Sequence, residues 1–132
     1  MRLQLVRHAT LIVEYNGQKI LVDPMLDDAG ARPAIQNSPN PRKNPLLPLP
    51  IPAGEVVENV TAVLVTHTHS DHWDSTAAQV IPKNIPLFCQ PEDEQKFRDL
   101  GFAATQVVNQ SLHWRGIEIR RTGGQHNRKS VV

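Results

Sequence analysis

The chain has 132 residues, 39% of them hydrophobic, which suits one domain with a modest core. Its 14 basic and 13 acidic residues are spread evenly and leave a net charge of +1, so no basic stripe exists to track phosphates and nucleic acid is excluded as a bulk-electrostatic partner. The single cysteine, Cys89, excludes an intramolecular disulfide and reads as a small buried hydrophobe, and no apolar run is long enough to cross a membrane.

Residues 3–6 and 11–15 alternate apolar and polar side chains loosely and predict two strands. Asn16-Gly17 predicts a hairpin turn, and 19–22 the returning strand. His8 interrupts the first two apolar stretches; it either faces a site or caps a turn. Asp23 ends the run Ile20-Leu21-Val22 and precedes Pro24, at a strand end where the chain must turn, as turn aspartates commonly do. Eight of the 11 prolines then fall between Pro24 and Pro52. Pro48-Leu49-Pro50-Ile51-Pro52 can be neither helix nor central strand. A connection this long is either a functional loop or an unstructured insertion.

The apolar run Ala62-Val63-Leu64-Val65 predicts a buried strand, and it delivers the most informative string in the chain, His67-Thr68-His69-Ser70-Asp71-His72. Imidazole and carboxylate are the ligand set that Zn²⁺ and related divalent ions prefer. His67 and His69 are two apart, so in an extended segment they point to one side and can chelate one ion. Asp71 and His72 follow after the chain begins to turn and can face a second ion. Two ions about 3.5–4 Å apart can share a water and lower its pKa towards neutrality. The competing reading is a polar loop whose histidines cap the next helix; four ligand-type residues in six positions argue against it.

Asp74 is a good N-cap for a short helix to Val80, stopped by Pro82. Residues 86–89 read as a strand, and Pro91-Glu92-Asp93-Glu94 opens a second helix with acids in its first turn. Phe97 and Leu100 are expected to face inwards, with Gly101 ending the helix. Residues 106–108, 112–114 and 116–120 predict short strands, with His113 a packed or half-exposed sheet residue. His126 follows Gly123-Gly124-Gln125, and glycines before a ligand let backbone approach an ion closely. Taken alone, a histidine there is more often an exposed bystander. No GxGxxG follows any strand, and the order of elements fits an α/β (α+β layered) half-sandwich better than a dinucleotide-binding sheet.

The His-x-His-x-Asp-His string resembles the signature of the metallo-β-lactamase superfamily, and Thr61-Ala62-Val63-Leu64-Val65-Thr66 resembles the strand that leads into it. The opening stretch, from Leu5-Val6-Arg7-His8 through Ile20-Leu21-Val22-Asp23-Pro24, is similar to the N-terminal strands of its lactonase-like, metal-dependent hydrolase branch. The resemblance spans nearly the whole chain and implies the N-terminal half of an αββα sandwich. It implies that His67, His69 and His126 hold one ion, and Asp71 and His72 the other. It places Asp23 near the metals, accepting the second N–H of a ligand imidazole, and His8, where it faces the site, would stand there or on the substrate side. The proline-rich connection would stand at the mouth of the site. The implied chemistry is hydrolysis of a small ester, lactone or phosphoester-like substrate by hydroxide held on one or two Zn²⁺ ions, with Asp71 also orienting the attacking water. Mn²⁺ and Fe²⁺ accept the same ligands.

The family's second half supplies a bridging aspartate, often in a Gly-Asp-Thr-like string, and a further histidine. Neither follows His126, so residues 1–132 are expected to form one domain of this type that is incomplete at the C-terminus, whether through a truncated chain, a shifted reading frame or a degenerate gene. Such a half exposes a sheet face and edge, which favours self-association into a homo-oligomer. The second ion should bind weakly, and hydrolysis should be impaired. The alternative is a non-catalytic remnant that binds metal or a partner without turnover. A nuclease-like branch would want a basic groove, and a redox role would want thiolate ligands. The N-terminus enters a strand at once, so a cytoplasmic location is expected.

Overall fold

In the computed structural model, residues 1–28, 48–69 and 72–122 are described in full, and 125–127 and 130–131 as backbone alone. The chain opens with an antiparallel meander of β1 (Arg2–Arg7), β2 (Thr10–Tyr15) and β3 (Gln18–Val22). Asn16 and Gly17 turn the second hairpin with φ of 52° and 76°, the positive pair that a primed turn requires of both central residues. Val13 stands opposite Ile20 across that hairpin.

Beyond β3 the sheet becomes parallel. β4 (Ala62–Val65), β5 (Leu87–Cys89) and β6 (Thr105–Val107) add in sequence order, giving six strands in the order β1-β2-β3-β4-β5-β6. Parallel strands are covered on both faces, and the central pair shows it. Val63, Leu87 and Phe88 have no exposed surface, and Val65 and Cys89 almost none.

Helices cover one face. α1 (Ala53–Val56), α2 (Ser75–Val80) and α3 (Glu94–Asp99), with a 3₁₀ turn at Pro91–Asp93 before it, bring Val56, Ala77 and Phe97 onto Leu21, Val63, Val65 and Leu87. Trp73 meets Phe97 edge-to-face at 4.9 Å and Phe102 at 5.8 Å. The opposite face carries Ile20, Ala62, Phe88 and Val108, covered by a separate hairpin of β7 (Ser111–Trp114) and β8 (Ile117–Arg120) through Leu112, Trp114, Ile117 and Ile119. β9 (Gln125–Asn127) and β10 (Ser130–Val131) form a further two-stranded pair. The hairpin covers the face only in part: Leu3 and Leu5, cross-strand from Val13 and Leu11, are 61% and 67% exposed.

The layered α/β expectation holds, with three departures in detail. The one-turn helix α1, started at Pro52, carried no periodic signal within the proline-rich run. Most of that run, residues 29–47, lies outside the described residues, and the reading of it as a loop over the site with them. Leu100 does not face inwards; it is 39% exposed. Gly101, at φ 97°, turns the chain so that its N–H bonds the Arg98 carbonyl and the Phe102 N–H bonds the Phe97 carbonyl. This is the Schellman arrangement, which presses Phe102 onto Phe97 and leaves Leu100 at the helix end facing water. His113, expected to be packed or half-exposed, is exposed on β7. Among the described residues, no helix is long and apolar enough to cross a membrane.

Candidate metal centre

β1, β3, β4, β5 and β6 all run the same way, because β2 alone reverses direction between β1 and β3. Their C-terminal ends therefore share one edge of the sheet, the edge at which open α/β sheets bind ligands. His8, Asp23, the Thr66–His69 loop, Gln90 and Val108 all follow these strands directly.

Asp23 organises that edge. Its φ of 46° is left-handed, a conformation that aspartate tolerates better than most residues. Its N–H extends the parallel ladder to the Leu64 carbonyl at 2.9 Å, and its own carbonyl accepts from the Thr10 hydroxyl at 2.7 Å. The carboxylate, thus fixed, accepts the Thr66 N–H on Oδ1 and both the Thr66 hydroxyl and His72 Nδ1 on Oδ2, each at 2.7 Å.

These bonds fix proton positions on two imidazoles. An ionised carboxylate can only accept, so His72 carries its proton on Nδ1. The single Thr66 proton is committed to Asp23, so the 3.1 Å contact between its oxygen and His67 Nδ1 must use a proton on the imidazole. In their neutral form both rings then keep the lone pair on Nε2, the tautomer that a ligand imidazole needs.

The His69 carbonyl accepts the N–H groups of His72 and Trp73, at 2.8 and 3.1 Å, and this turn brings the motif back on itself. The His67 ring lies 4.6 Å from that of His69 and 3.9 Å from that of His72, centroid to centroid. His67 is buried, His72 half-buried and His69 exposed. The three motif histidines are thus brought together at the sheet edge. Asp71 lies outside the described residues; His126 falls on β9, its side chain likewise undescribed. Among the described residues, no three His, Cys, Asp or Glu side chains stand in a ligand arrangement. The donor chemistry nonetheless suits a divalent ion: clustered imidazoles, two with their Nε2 lone pairs set by one carboxylate. His8 stands at φ 52° in the exposed β1–β2 turn on the same edge.

Several residues that hold the site were missed in the sequence. Asp93, taken there as a first-turn acid, is buried; it accepts the Thr68 hydroxyl at 3.2 Å and the Gln90 amide at 3.0 Å, gripping the middle of the motif from another loop. Arg7 is buried and donates to the carbonyls of Met25 and Asp27, at 2.5 and 2.7 Å. Asp74 does cap α2 through the Ala77 N–H, but it also accepts the Asp27 N–H, while the Asp27 carboxylate accepts from Thr76. Burial raises the Asp74 carboxyl above its ordinary range, against the backbone donors that favour its charge, and the Asp27 carboxylate adds to the rise. Thr66 and Asp74 adjoin the motif in sequence, whereas Arg7, Asp27 and Asp93 come to it only through the fold.

Comparison with known proteins agrees with this architecture. A protein of Bacillus subtilis (strain 168), UPF0173 protein YddR, is 37% identical over 130 residues, which make up 97% of this chain and 51% of that protein. The crystal structure of a possible metal-dependent hydrolase from Veillonella parvula superposes with a TM-score of 0.91 at 36% identity, over 96% of this chain and 49% of that one. That of isothiocyanate hydrolase from Delia radicum gut bacteria gives 0.89 at 39% identity, over 98% and 50%. The chain thus spans about half the length of these relatives. Residues 2–131 match the sequence model of the beta-lactamase superfamily domain, and the chain belongs to that family.

Proposed function

We propose that this chain carries the metal-binding part of a metal-dependent hydrolase. His67, His69 and His126 are assigned to one ion, and Asp71 and His72 to a second; Zn²⁺ is the favoured ion, with Mn²⁺ and Fe²⁺ compatible. The observation that carries the reading is the Asp23 carboxylate, which bonds His72 Nδ1 directly and reaches His67 Nδ1 through Thr66, so that each neutral ring has Nε2 for a ligand. A bound divalent ion would supply a water of lowered pKa and positive charge for a developing oxyanion. The protein's part is to hold the imidazole protons on Nδ1, to keep the His67 ring out of solvent, and, through Asp71, to orient the attacking water. His8, on the same edge, is assigned to the substrate side.

The substrate is a small molecule with an electrophilic carbon or phosphorus, of the ester, lactone or phosphoester kind. The isothiocyanate hydrolase relative extends that class to a heterocumulene, whose central carbon is open to the same attack by water. A location in the cytoplasm accords with this reading. The test is bound metal per chain by elemental analysis after purification without chelators. One or two ions per chain, reduced in His67→Ala and His126→Ala, support the assignment. Absence of metal from the unsubstituted chain, even after incubation with Zn²⁺, would sink it.

A further inference from the structure

A cavity of about 120 Å³ lies between the main sheet and the β7–β8 hairpin, at the C-terminal ends of β4, β5 and β8. Its apolar wall is made by Leu64, Val108 and Ile119, the members of the hairpin-side core nearest the functional edge. Its polar wall is Thr66 and Gln90. Each of these is bonded to a carboxylate that grips the histidine motif: Thr66 to Asp23, and Gln90 to Asp93, which also holds Thr68. The cavity therefore backs directly onto the supports of the imidazole cluster. Arg120 at its rim is paired with Glu118 at 2.6 Å, and Arg121 donates to the Asn109 carbonyl, so the rim guanidiniums are engaged with their own hairpin and strand connection.

We infer that this cavity receives a compact, uncharged apolar group of the substrate, on the order of four to six carbons, while the reacting carbon stands at the histidines. A benzene-sized molecule fills an apolar cavity of roughly 150 Å³, which sets the scale. The apolar wall of Leu64, Val65, Val108 and Ile119 disfavours a charged group inside the cavity. The cavity's occupancy is a property of the fold; only its meaning for turnover rests on the hydrolase reading.

Benzene is the probe. Titrated into the whole chain, it is expected to give saturable methyl chemical-shift changes at Leu64, Val108 and Ile119, and at no apolar surface such as Leu3 and Leu5. Val108→Phe, which fills the cavity, should abolish the response with the backbone spectrum otherwise retained; Ile119→Phe serves the same end should the first variant misfold. Pyrene, with four fused rings, should give no response there. No saturable shift, a response spread over Leu3 and Leu5, or an undiminished response in a folded filled variant would overturn the inference. Metal content of the same samples separates the two readings. Metal bound without a benzene response sinks the cavity alone, and a benzene response without metal sinks the hydrolase alone.

Discussion

The two faces of the main sheet are built from the same kind of residue and finished differently. On the helix side, Val56, Ala77, Phe97 and Phe102 bury Leu21, Val63 and Leu87 completely, and three aromatic rings interlock. On the hairpin side, β7 and β8 cover Ile20, Ala62 and Phe88 but leave Leu3 and Leu5 in solvent and a cavity beside Leu64 and Val108. A close-packed face holds the strands in place; an incompletely covered one leaves room for something else to bind. The histidine motif stands at the edge where the two meet, anchored to the closed face by Asp74 and Trp73 and backed by the cavity of the open one.

That contrast can be broken from the closed side first. Phe97→Ala removes a ring with no exposed surface that packs on Trp73 and Phe102, and it should cost about 3–5 kcal/mol, read as a fall in denaturation midpoint. A loss below about 1 kcal/mol would mean that this face is not the rigid one.

At the edge itself, Asp23→Ala should weaken metal binding by roughly 10–100-fold, the usual cost of losing a ligand's hydrogen-bond partner, measured by competition with a chelator. Asp93→Ala acts at one remove, through Thr68 and Gln90, and should cost about 1 kcal/mol of stability through the two half-buried donors it leaves without their acceptor. A larger effect on metal than Asp23→Ala would invert the order of the two carboxylates.

On the open side, Leu5→Ser should change folding stability by less than about 0.5 kcal/mol, since the side chain is 67% exposed. Any self-association of this face should fall with it, seen by sedimentation. The smallest effect belongs to Cys89. Burial pushes its thiol up to about 12, with the Asp93 and Glu94 carboxylates adding to the rise. Only the thiolate reacts, so alkylation by iodoacetamide at pH 8 should be far slower in the folded chain than after unfolding. Rapid alkylation of folded protein would show the cavity wall to be open.

The fold was legible wherever local chemistry had one solution. Asn16-Gly17 admits the positive φ pair of a tight hairpin, the apolar runs at 62–65 and 87–89 suit strands covered on both sides, and Asp74 before Ser75 is a cap at the place where the helix starts. Leu100 shows the limit. Helical periodicity points it inwards, but Gly101 reverses the chain one residue later and Phe102 takes the buried place. Periodicity describes a helix, and it fails at the residue where the helix stops.

The site divides along the same line. The imidazole and carboxylate groups, and their grouping in six residues after an apolar run, were legible in the sequence alone, because they lie in one short segment. Asp23 could be named from sequence only with an ordinary turn aspartate as an equal reading, and Asp93 passed for a helix-dipole acid. What decided both was a contact across 43 to 49 residues in the first case and 25 in the second, created when parallel strands bring their ends to one edge. Parallel pairing is long-range by construction, so which acid orients which imidazole is settled by the sheet and by no local pattern.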